Sequence, residues 1–208
     1  MCSLPSFPRT TLILGGSFDP VHWGHLHTAQ AALQATAADR LLFVPAAASP
    51  HKSAGPFAGA HHRLKMLQLA AHGHDTWEIA DLEILRPPPS FTWDTLRQLQ
   101  AANPAERFIL LLGADQLPKL HTWRNFPLLA ATADFAVMPR PGWPLSPSRP
   151  DNIPPDAWRH FQRLSIPEFS IASSAIRGKI AVGESIDDLV PPAVAGYIRQ
   201  YRLYLPAP

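Results

Sequence analysis

The feature that most constrains the fold of this chain is the segment of residues 12–26, LILGGSFDPVHWGHL. A short apolar run ends at a glycine pair, a loop rich in polar residues follows, and the next segment is alanine-rich and favours a helix. Glycines at the end of a strand let a ligand approach the backbone, because they have no Cβ. A helix that begins near residues 22–23 would also offer free backbone N–H groups to an anion. The segment therefore predicts a strand, a phosphate-binding turn and a helix in succession.

Strand-like and helix-like patterns alternate along the rest of the chain. Further strands are expected at residues 40–45, 76–84, 107–112, 134–139 and 163–166. Helices are expected at residues 26–38, 61–72, 90–99, 125–132, 173–181 and 191–201. This order is typical of βαβ units with a parallel sheet. We expect an α/β fold of the Rossmann-like, doubly wound type, with a mostly parallel sheet, helices on both faces and a single domain spanning residues 1–208.

Polar residues at the predicted ends of these elements are the first candidates for a site. Ligands of such sheets bind at the carboxyl ends of the strands, which points to Gly113 and Asp115 after the clearest buried strand. Hydroxyl side chains also stand where helices should begin, and we interpret Thr92, and Ser173 or Ser174, as candidate N-caps.

Seven prolines lie between residues 139 and 155, a density that excludes regular structure there. Because the core pattern resumes afterwards, residues 139–158 are interpreted as a surface loop inside the domain. The sequence assigns this loop no role.

Composition limits the classes of function. Hydrophobic residues make up 46% of the chain and charged residues only 16%, which indicates a compact globular protein. The net charge of +2 is not gathered in long basic runs, so neither nucleic acid nor a membrane is an expected partner. The single cysteine, Cys2, excludes an intramolecular disulfide and fits a reducing cytoplasm. The first ten residues lack the apolar core of a signal peptide, and no apolar run is long enough for a transmembrane helix, so neither element is expected.

Three histidines close together, His22, His25 and His27, could suggest a metal site. We do not predict one, because the only cysteine is terminal and no carboxylate lies at helical spacing beside them. A zinc-binding histidine protein remains an alternative.

The segment GGSFDPVHWGH resembles the signature G-[TS]-F-D-P-x-H-x-G-H of the nucleotidyltransferases that carry a His-x-Gly-His motif. Later segments resemble, in order, motifs of the bacterial nicotinate-mononucleotide adenylyltransferases. These segments are PHK at 50–52, DLEILR at 81–86, PSFTWDTL at 89–96, GAD at 113–115 followed by Trp123, RPG at 140–142 and IASSAIR at 171–177. The PSFTWDTL block indicates the pyridine-nucleotide branch, and a phosphopantetheine enzyme would not need it.

The resemblance implies a reaction and its cofactor. In this family ATP and nicotinate mononucleotide give nicotinate adenine dinucleotide and pyrophosphate. The phosphate of the mononucleotide attacks the α-phosphorus of ATP directly, so the protein positions the substrates and stabilises charge. Mg²⁺ would accompany ATP and be carried largely by phosphate oxygens and water, without a carboxylate cage.

The resemblance also implies roles for individual residues. Catalytic contacts to phosphate would come from His22, His25, Lys52 and Arg177. The ATP site would comprise Gly15, Gly16, Ser17, Phe18, His22, His25, Gly113, Asp115, Ser173, Ser174 and Arg177. The mononucleotide site would comprise Lys52, Thr92, Trp123 and Arg140. Within it, Thr92 and neighbouring amides would meet the nicotinate carboxylate, and Trp123 would stack on the pyridine ring.

Each of these residues also has a plain structural interpretation. Lys52 could be a solvated loop residue, Thr92 and Ser174 helix caps, Trp123 a core residue and Arg177 a surface residue. The chain departs from the family pattern at Ala172, where a serine is usual, and at Ser49, where a proline is common. We expect a local change there and an intact site.

The sequence leaves several alternatives open. The acceptor could be nicotinamide mononucleotide or phosphopantetheine, and a module that only senses nucleotides would be a different class. The expected partners are ATP and nicotinate mononucleotide, and the chain could assemble as a homo-oligomer.

Overall fold

One open sheet of six parallel strands forms the centre of the structure. The computed structural model describes residues 8–47, 57–146 and 148–206. The strands are β1 (Thr10–Gly16), β2 (Arg40–Pro45), β3 (Trp77–Ile79), β4 (Arg107–Gly113), β5 (Asp134–Met138) and β6 (Phe161–Arg163). Their order across the sheet is β3-β2-β1-β4-β5-β6, which reverses direction between β1 and β4. This is the doubly wound order, and it confirms the predicted fold class.

Helices cover both faces of this sheet, as the sequence predicts. They are α1 (Trp23–Thr36), α2 (Ala60–Ala71), α3 (Thr92–Ala102), α4 (Phe126–Thr132), α5 (Pro155–Trp158), α6 (Ser173–Ala181) and α7 (Pro192–Gln200), with a 3₁₀ helix at Ala114–Thr122. Within the described residues, no helix has both the length and the apolar character needed to cross a bilayer.

Two hydrophobic cores result from the alternation of side chains along the central strands. Leu12 and Leu14 of β1 point into one core, with buried residues of α1, α2, α6 and α7. Ile13 points into the other, with buried residues of α3 and α4. Because strands of such a sheet are buried on both faces, their sequences are apolar runs, and this is why β1, β2 and β4 could be located closely from the sequence.

Four local expectations were wrong. The strand expected at 76–84 is limited to β3, because this edge strand pairs only with residues 41–43 of β2. The strand expected at 163–166 lies earlier, at β6. The proline-rich segment contains the short helix α5 and a backbone bridge between Arg140 and Trp143. The N-caps of α3 and α6 are Phe91 and Ala172, so the predicted hydroxyl residues lie inside the first helical turns.

A partly buried ion-pair network joins the amino ends of the strands. Arg40 at the start of β2 contacts Glu106 at 2.7 Å and forms a second pair with Glu78. Its Nε donates to Thr11 Oγ1 at 2.7 Å, and Thr11 is fully buried. This network lies at the opposite edge of the sheet from the carboxyl ends where ligands bind.

Candidate active site

A cleft of about 730 Å³ opens at the carboxyl ends of β1 and β4, where the order of the strands reverses. Several of the predicted site residues line it, namely Gly15, Gly16, Ser17, Phe18, His25, Thr92, Gly113, Asp115, Trp123 and Arg140. His22, Ser173, Ser174 and Arg177 are not among the lining residues and are described below. Lys52 lies outside the described residues.

The two histidines of the first motif stack on each other at the start of α1. His22 is the N-cap, and its Nδ1 accepts a hydrogen bond from the amide of His25 at 3.3 Å. The two ring centroids are 3.7 Å apart with an interplanar angle of 25°. His22 is buried, whereas His25 is half-buried and faces the cleft. His25 is therefore the histidine that a ligand can reach, and His22 supports it from behind.

His22 is held in its neutral form. Burial, and then the positive charge of Arg140, lower the pKa of His22 from 6.5 to about 4. Protonation would also remove the acceptor that Nδ1 offers to the His25 amide. The imidazole of His22 is thus a fixed acceptor at neutral pH.

We expect this shift to make stability depend on pH. The unfolded chain binds a proton at His22 near pH 6.5 and the folded chain only near 4, so acidification favours the unfolded state between these values. The free energy of unfolding should fall by about 3 kcal/mol from this group as the pH falls from 7 to 4. Urea unfolding of the wild type and His22→Asn across this range measures it. The variant should show the flatter profile. Equal slopes for wild type and His22→Asn would contradict the shift.

His27 does not join the other two histidines. It is exposed and contacts Trp23 and Phe169, with ring centroids at 5.3 Å and 5.2 Å. Among the described residues, no group of three or more histidine, cysteine, aspartate or glutamate side chains is arranged to hold a metal ion.

The loop after β1 takes a constrained path around Phe18. This residue has a φ of 48°, in the left-handed region, and its side chain is buried. Its ring lies against Phe43 at 5.8 Å and His25 at 5.1 Å between centroids. A Cβ on Gly16 would lie 3.1 Å from the same ring, so the loop and the ring pack closely. The backbone of the loop is consequently presented to the cleft in one conformation.

Helix α6 contacts the end of this loop, at Asp19 and Pro20. Ser173 donates from Oγ to the carbonyl of Pro20 at 3.0 Å, and Arg177 donates to the carbonyl of Asp19 at 2.7 Å. The guanidinium of Arg177 also lies 4.1 Å above the ring of Phe57. Ser174 is exposed on the first turn. The IASSAIR segment is thereby brought to the first motif, although the two are far apart in sequence.

The glycine-rich loop forms the first wall of the cleft, and the ends of β4 and β5 form the second. Arg140 Nε lies 3.8 Å from Asp115 Oδ1, and Gln116 donates to Asp115 Oδ2 at 2.6 Å. A Cβ on Gly113 would lie 2.2 Å from Asp115 Oδ1 and 2.8 Å from Arg140 Nε. Glycine is therefore required at this position for the two charged side chains to meet.

The third wall combines the start of α3 with the end of the 3₁₀ helix. Thr92 and Trp123 line the cleft there together with Phe91 and Arg124. The Arg124 guanidinium lies 4.9 Å above the Phe91 ring and pairs with Asp94 at 3.2 Å, which connects the two elements. This wall is mainly aromatic and can hold a flat ring.

The PSFTWDTL block is connected to the preceding acidic motif. Thr95 donates to Glu83 at 2.6 Å and accepts from Arg86 at 2.8 Å, and both Thr95 and Glu83 are buried. These motif positions therefore fix the first turn of α3 to the segment that precedes it.

Two residues that matter to this site were missed from the sequence. Arg63 of α2 is buried beneath the first loop, and Tyr204, after α7, donates to the Asp19 carboxylate at 2.8 Å. A signal existed for Arg63, because it lies on the buried face of α2 together with Met66, Leu67 and Ala70. For Tyr204 the sequence offers no signal.

Comparisons with known proteins agree with this fold and identify the family. The chain matches the cytidylyltransferase-like family over residues 13–179. A protein of Symbiobacterium thermophilum named "Probable nicotinate-nucleotide adenylyltransferase" is 38% identical, covering 93% of this chain and 94% of that protein. One of the same name from Bordetella petrii is 40% identical, covering 92% and 97%. The solved structure of Plasmodium falciparum nicotinic acid mononucleotide adenylyltransferase complexed with NaAD shares the fold, with a TM-score of 0.74 at 21% identity over 94% of this chain and 97% of that chain.

Proposed function

Since this chain belongs to the nicotinate-nucleotide adenylyltransferases of the cytidylyltransferase-like family, we propose that its cleft catalyses their reaction. The enzyme transfers the adenylyl group of ATP to nicotinate mononucleotide and releases nicotinate adenine dinucleotide and pyrophosphate, a step of NAD biosynthesis. The observation that carries the proposal is the continuity of the cleft. The same cleft is lined by a glycine-rich loop with His25 and by an aromatic wall with Trp123, so a phosphate and a flat ring can be bound together.

The chemistry requires placement of two phosphates and stabilisation of charge. A phosphate oxygen of nicotinate mononucleotide forms a bond to the α-phosphorus of ATP, the bond to the bridging oxygen breaks, and pyrophosphate leaves. No protein nucleophile takes part. Negative charge increases on the departing oxygens, and cations or N–H donors fixed beforehand lower the barrier. We assign this role to His25, Arg177 and Lys52, supported by Ser17 and the amides of its loop.

The remaining site residues are assigned by their position. Gly15, Gly16 and Phe18 leave space for ATP and shape its cradle, with His22 behind His25. Gly113 and Asp115 line the nucleotide side of the cleft, and Arg140 reaches the mononucleotide from the neighbouring strand end. Ser173 and Ser174 begin α6, whose N-terminus contacts the end of the first loop and would favour the outer phosphates of ATP.

Mg²⁺ fits this site as a companion of ATP. The polar side chains of the cleft are hydroxyls, three cations (Lys119, Arg124 and Arg140) and two carboxylates, of which Glu83 is buried against Thr95 and Asp115 is the more accessible. Such a donor set suits an ion carried by phosphate oxygens and water, which would neutralise charge on the triphosphate.

The aromatic wall supports a pyridine acceptor. Trp123 offers its indole to the cleft, and Thr92 is the first residue of α3, where free backbone N–H groups and the helix dipole favour a carboxylate. These features support nicotinate over nicotinamide, because only the acid carries a negative charge for the helix end to stabilise.

The test of the function is pyrophosphate release with Mg-ATP and three acceptors in parallel. Nicotinate mononucleotide should be used with clear preference over nicotinamide mononucleotide and phosphopantetheine. Release only with another acceptor would keep adenylyl transfer and refute the pyridine pocket. No release with any acceptor would refute the enzyme and favour a nucleotide-sensing module.

Trp123→Ala should act on substrate binding. Loss of a stacked indole costs about 1–1.5 kcal/mol, so the KM for nicotinate mononucleotide should rise by about five- to tenfold, with a smaller change in KM for ATP. Steady-state kinetics with each substrate varied in turn measures both values. Trp158→Ala is the control, since that indole does not line the cleft. An unchanged KM for the mononucleotide would exclude stacking by Trp123.

We further propose that residues 1–208 act as one nucleotidyltransferase domain, with residues 139–158 as a segment inside it. Both substrates are metabolites of the cytoplasm, and we place the reaction there.

A further inference from the structure

Arg63 makes an unusual set of contacts for a buried charged side chain. It is 1% exposed, and its guanidinium donates to four backbone carbonyls. They belong to Ser17 at 2.8 Å, Ala46 at 2.7 Å, Ala47 at 3.2 Å and Ala58 at 3.2 Å. One side chain thus holds the loop after β1, the end of β2 and the segment before α2. Lysine could not do this, because its donors radiate from a single nitrogen.

Asp19 completes this arrangement from the other side. Its Oδ2 accepts from the amide of Phe57 at 2.7 Å, and its Oδ1 accepts from the amide of Ala58 at 3.1 Å and from the Tyr204 hydroxyl at 2.8 Å. Burial lowers the pKa of Arg63, and the charge of Asp19 opposes that effect. The guanidinium is compensated by a carboxylate that fastens the same loop.

The bond to Ser17 has a consequence for the next amide. The peptide between Ser17 and Phe18 is trans, so its carbonyl and its N–H point in opposite directions. Arg63 binds this carbonyl from the core, and Ser17 and Phe18 line the cleft whereas Arg63 does not. The Phe18 N–H is therefore turned away from Arg63, to the opposite side of the peptide. The left-handed backbone of Phe18 requires such external support.

We propose that Arg63, whose positive charge is balanced by Asp19, is a positioning residue for adenylyl transfer. By binding the Ser17 carbonyl it fixes the Phe18 amide as a donor to the phosphate in the cleft, without touching the substrates itself. This inference rests on the function proposed above.

The test is Arg63→Lys, which keeps the positive charge and loses the planar guanidinium with its several N–H donors. We expect kcat to fall by about 100-fold, since a misplaced donor to the reacting group can cost this much. The loss should appear in kcat, because the amide acts on charge that develops in the transition state. Pyrophosphate release is measured at a temperature where circular dichroism shows the variant fully folded.

Arg40→Lys is the matched control. Arg40 also binds several acceptors, in a partly buried network at the edge of the sheet away from the cleft. It should lower the melting temperature to a similar extent and leave kcat within about twofold of wild type. Equal losses of kcat in both variants, or wild-type kcat in folded Arg63→Lys, would overturn the proposal.

If Arg63→Lys does not fold, Asp19→Asn tests the positioning role instead. This isosteric change places an NH₂ group where an oxygen now accepts an amide or hydroxyl donor, so the loop loses support. A fall in kcat supports the positioning role, and an unchanged kcat overturns it. Wild-type enzyme in the same assay separates the two hypotheses. If the wild type shows no turnover, the proposed function fails, whereas wild-type turnover with unaffected variants refutes only the role of Arg63.

Discussion

Replacing His25 by alanine is expected to reduce kcat by about 10²- to 10³-fold, the usual cost of removing one fixed donor to a developing charge. His25 is the histidine that faces the cleft, and its ring is held between His22 and Phe18 at centroid distances of 3.7 Å and 5.1 Å. The ring cannot adjust freely, and no described neighbour on that helix face replaces it. Pyrophosphate release under saturating substrates measures the effect, and thermal unfolding checks that the fold persists.

His27→Ala is the control for this result. It removes an exposed imidazole two residues away on the same helix, and its ring contacts Trp23 and Phe169 outside the cleft. Activity should stay within about twofold of wild type. Turnover close to wild type in His25→Ala would refute its role at the phosphates.

Gly113→Ala is expected to damage both stability and activity. Gly113 has an ordinary φ of −72°, so alanine is not excluded by the backbone. Its Cβ, however, would lie 2.2 Å from Asp115 Oδ1 and 2.8 Å from Arg140 Nε, and these atoms must move. We expect a loss of about 1–3 kcal/mol in the free energy of unfolding. Displacement of the two charged side chains should reduce kcat/KM by about tenfold to a hundredfold.

Gly196→Ala provides the comparison. That glycine is exposed within α7, and a Cβ there would meet no heavy atom within 4 Å. The substitution should stabilise the helix by about 0.5–1 kcal/mol and leave turnover unchanged. Urea unfolding and steady-state kinetics on both variants give the contrast. If Gly113→Ala unfolded and reacted like the wild type, the close approach of Asp115 and Arg140 would not matter to the enzyme.

The central strands of the sheet could be predicted well because their pattern is visible in the local sequence. Strands β1, β2 and β4 are buried on both sides and consequently read as uninterrupted apolar runs with clear ends. The edge strands β3 and β6 were misjudged, since their limits depend on how many partners the neighbouring strand offers. That quantity is set by tertiary pairing and leaves no mark in the local pattern.

The site was predictable where residues act through their type and position in a motif. His25, Gly113 and Trp123 were located in this way, and all three line the cleft. The motif did not distinguish buried His22 from accessible His25, because burial depends on packing at the start of α1. The roles of Thr92 and Ser173 as caps failed because the residue before each already has the extended backbone of an N-cap.

Arg63 shows a further limit of local patterns. A charged residue on an apolar helix face suggests either an error in the assigned face or a buried partner, and the sequence cannot say which. Its partners are backbone carbonyls of three separate segments, which come together only when the sheet has formed.

The order of the strands also has a consequence for the chain during its synthesis. Strand β1 pairs with β2 soon after both have been made, but its other edge must wait for β4, whose residues follow at 107–113. Until then the growing chain carries its most central strand with one row of backbone groups unpaired. An unpaired edge on a strand with apolar side chains is a template for pairing with another chain. The first half of this protein thus depends on the second for protection on the ribosome, and molecular chaperones have that interval in which to act.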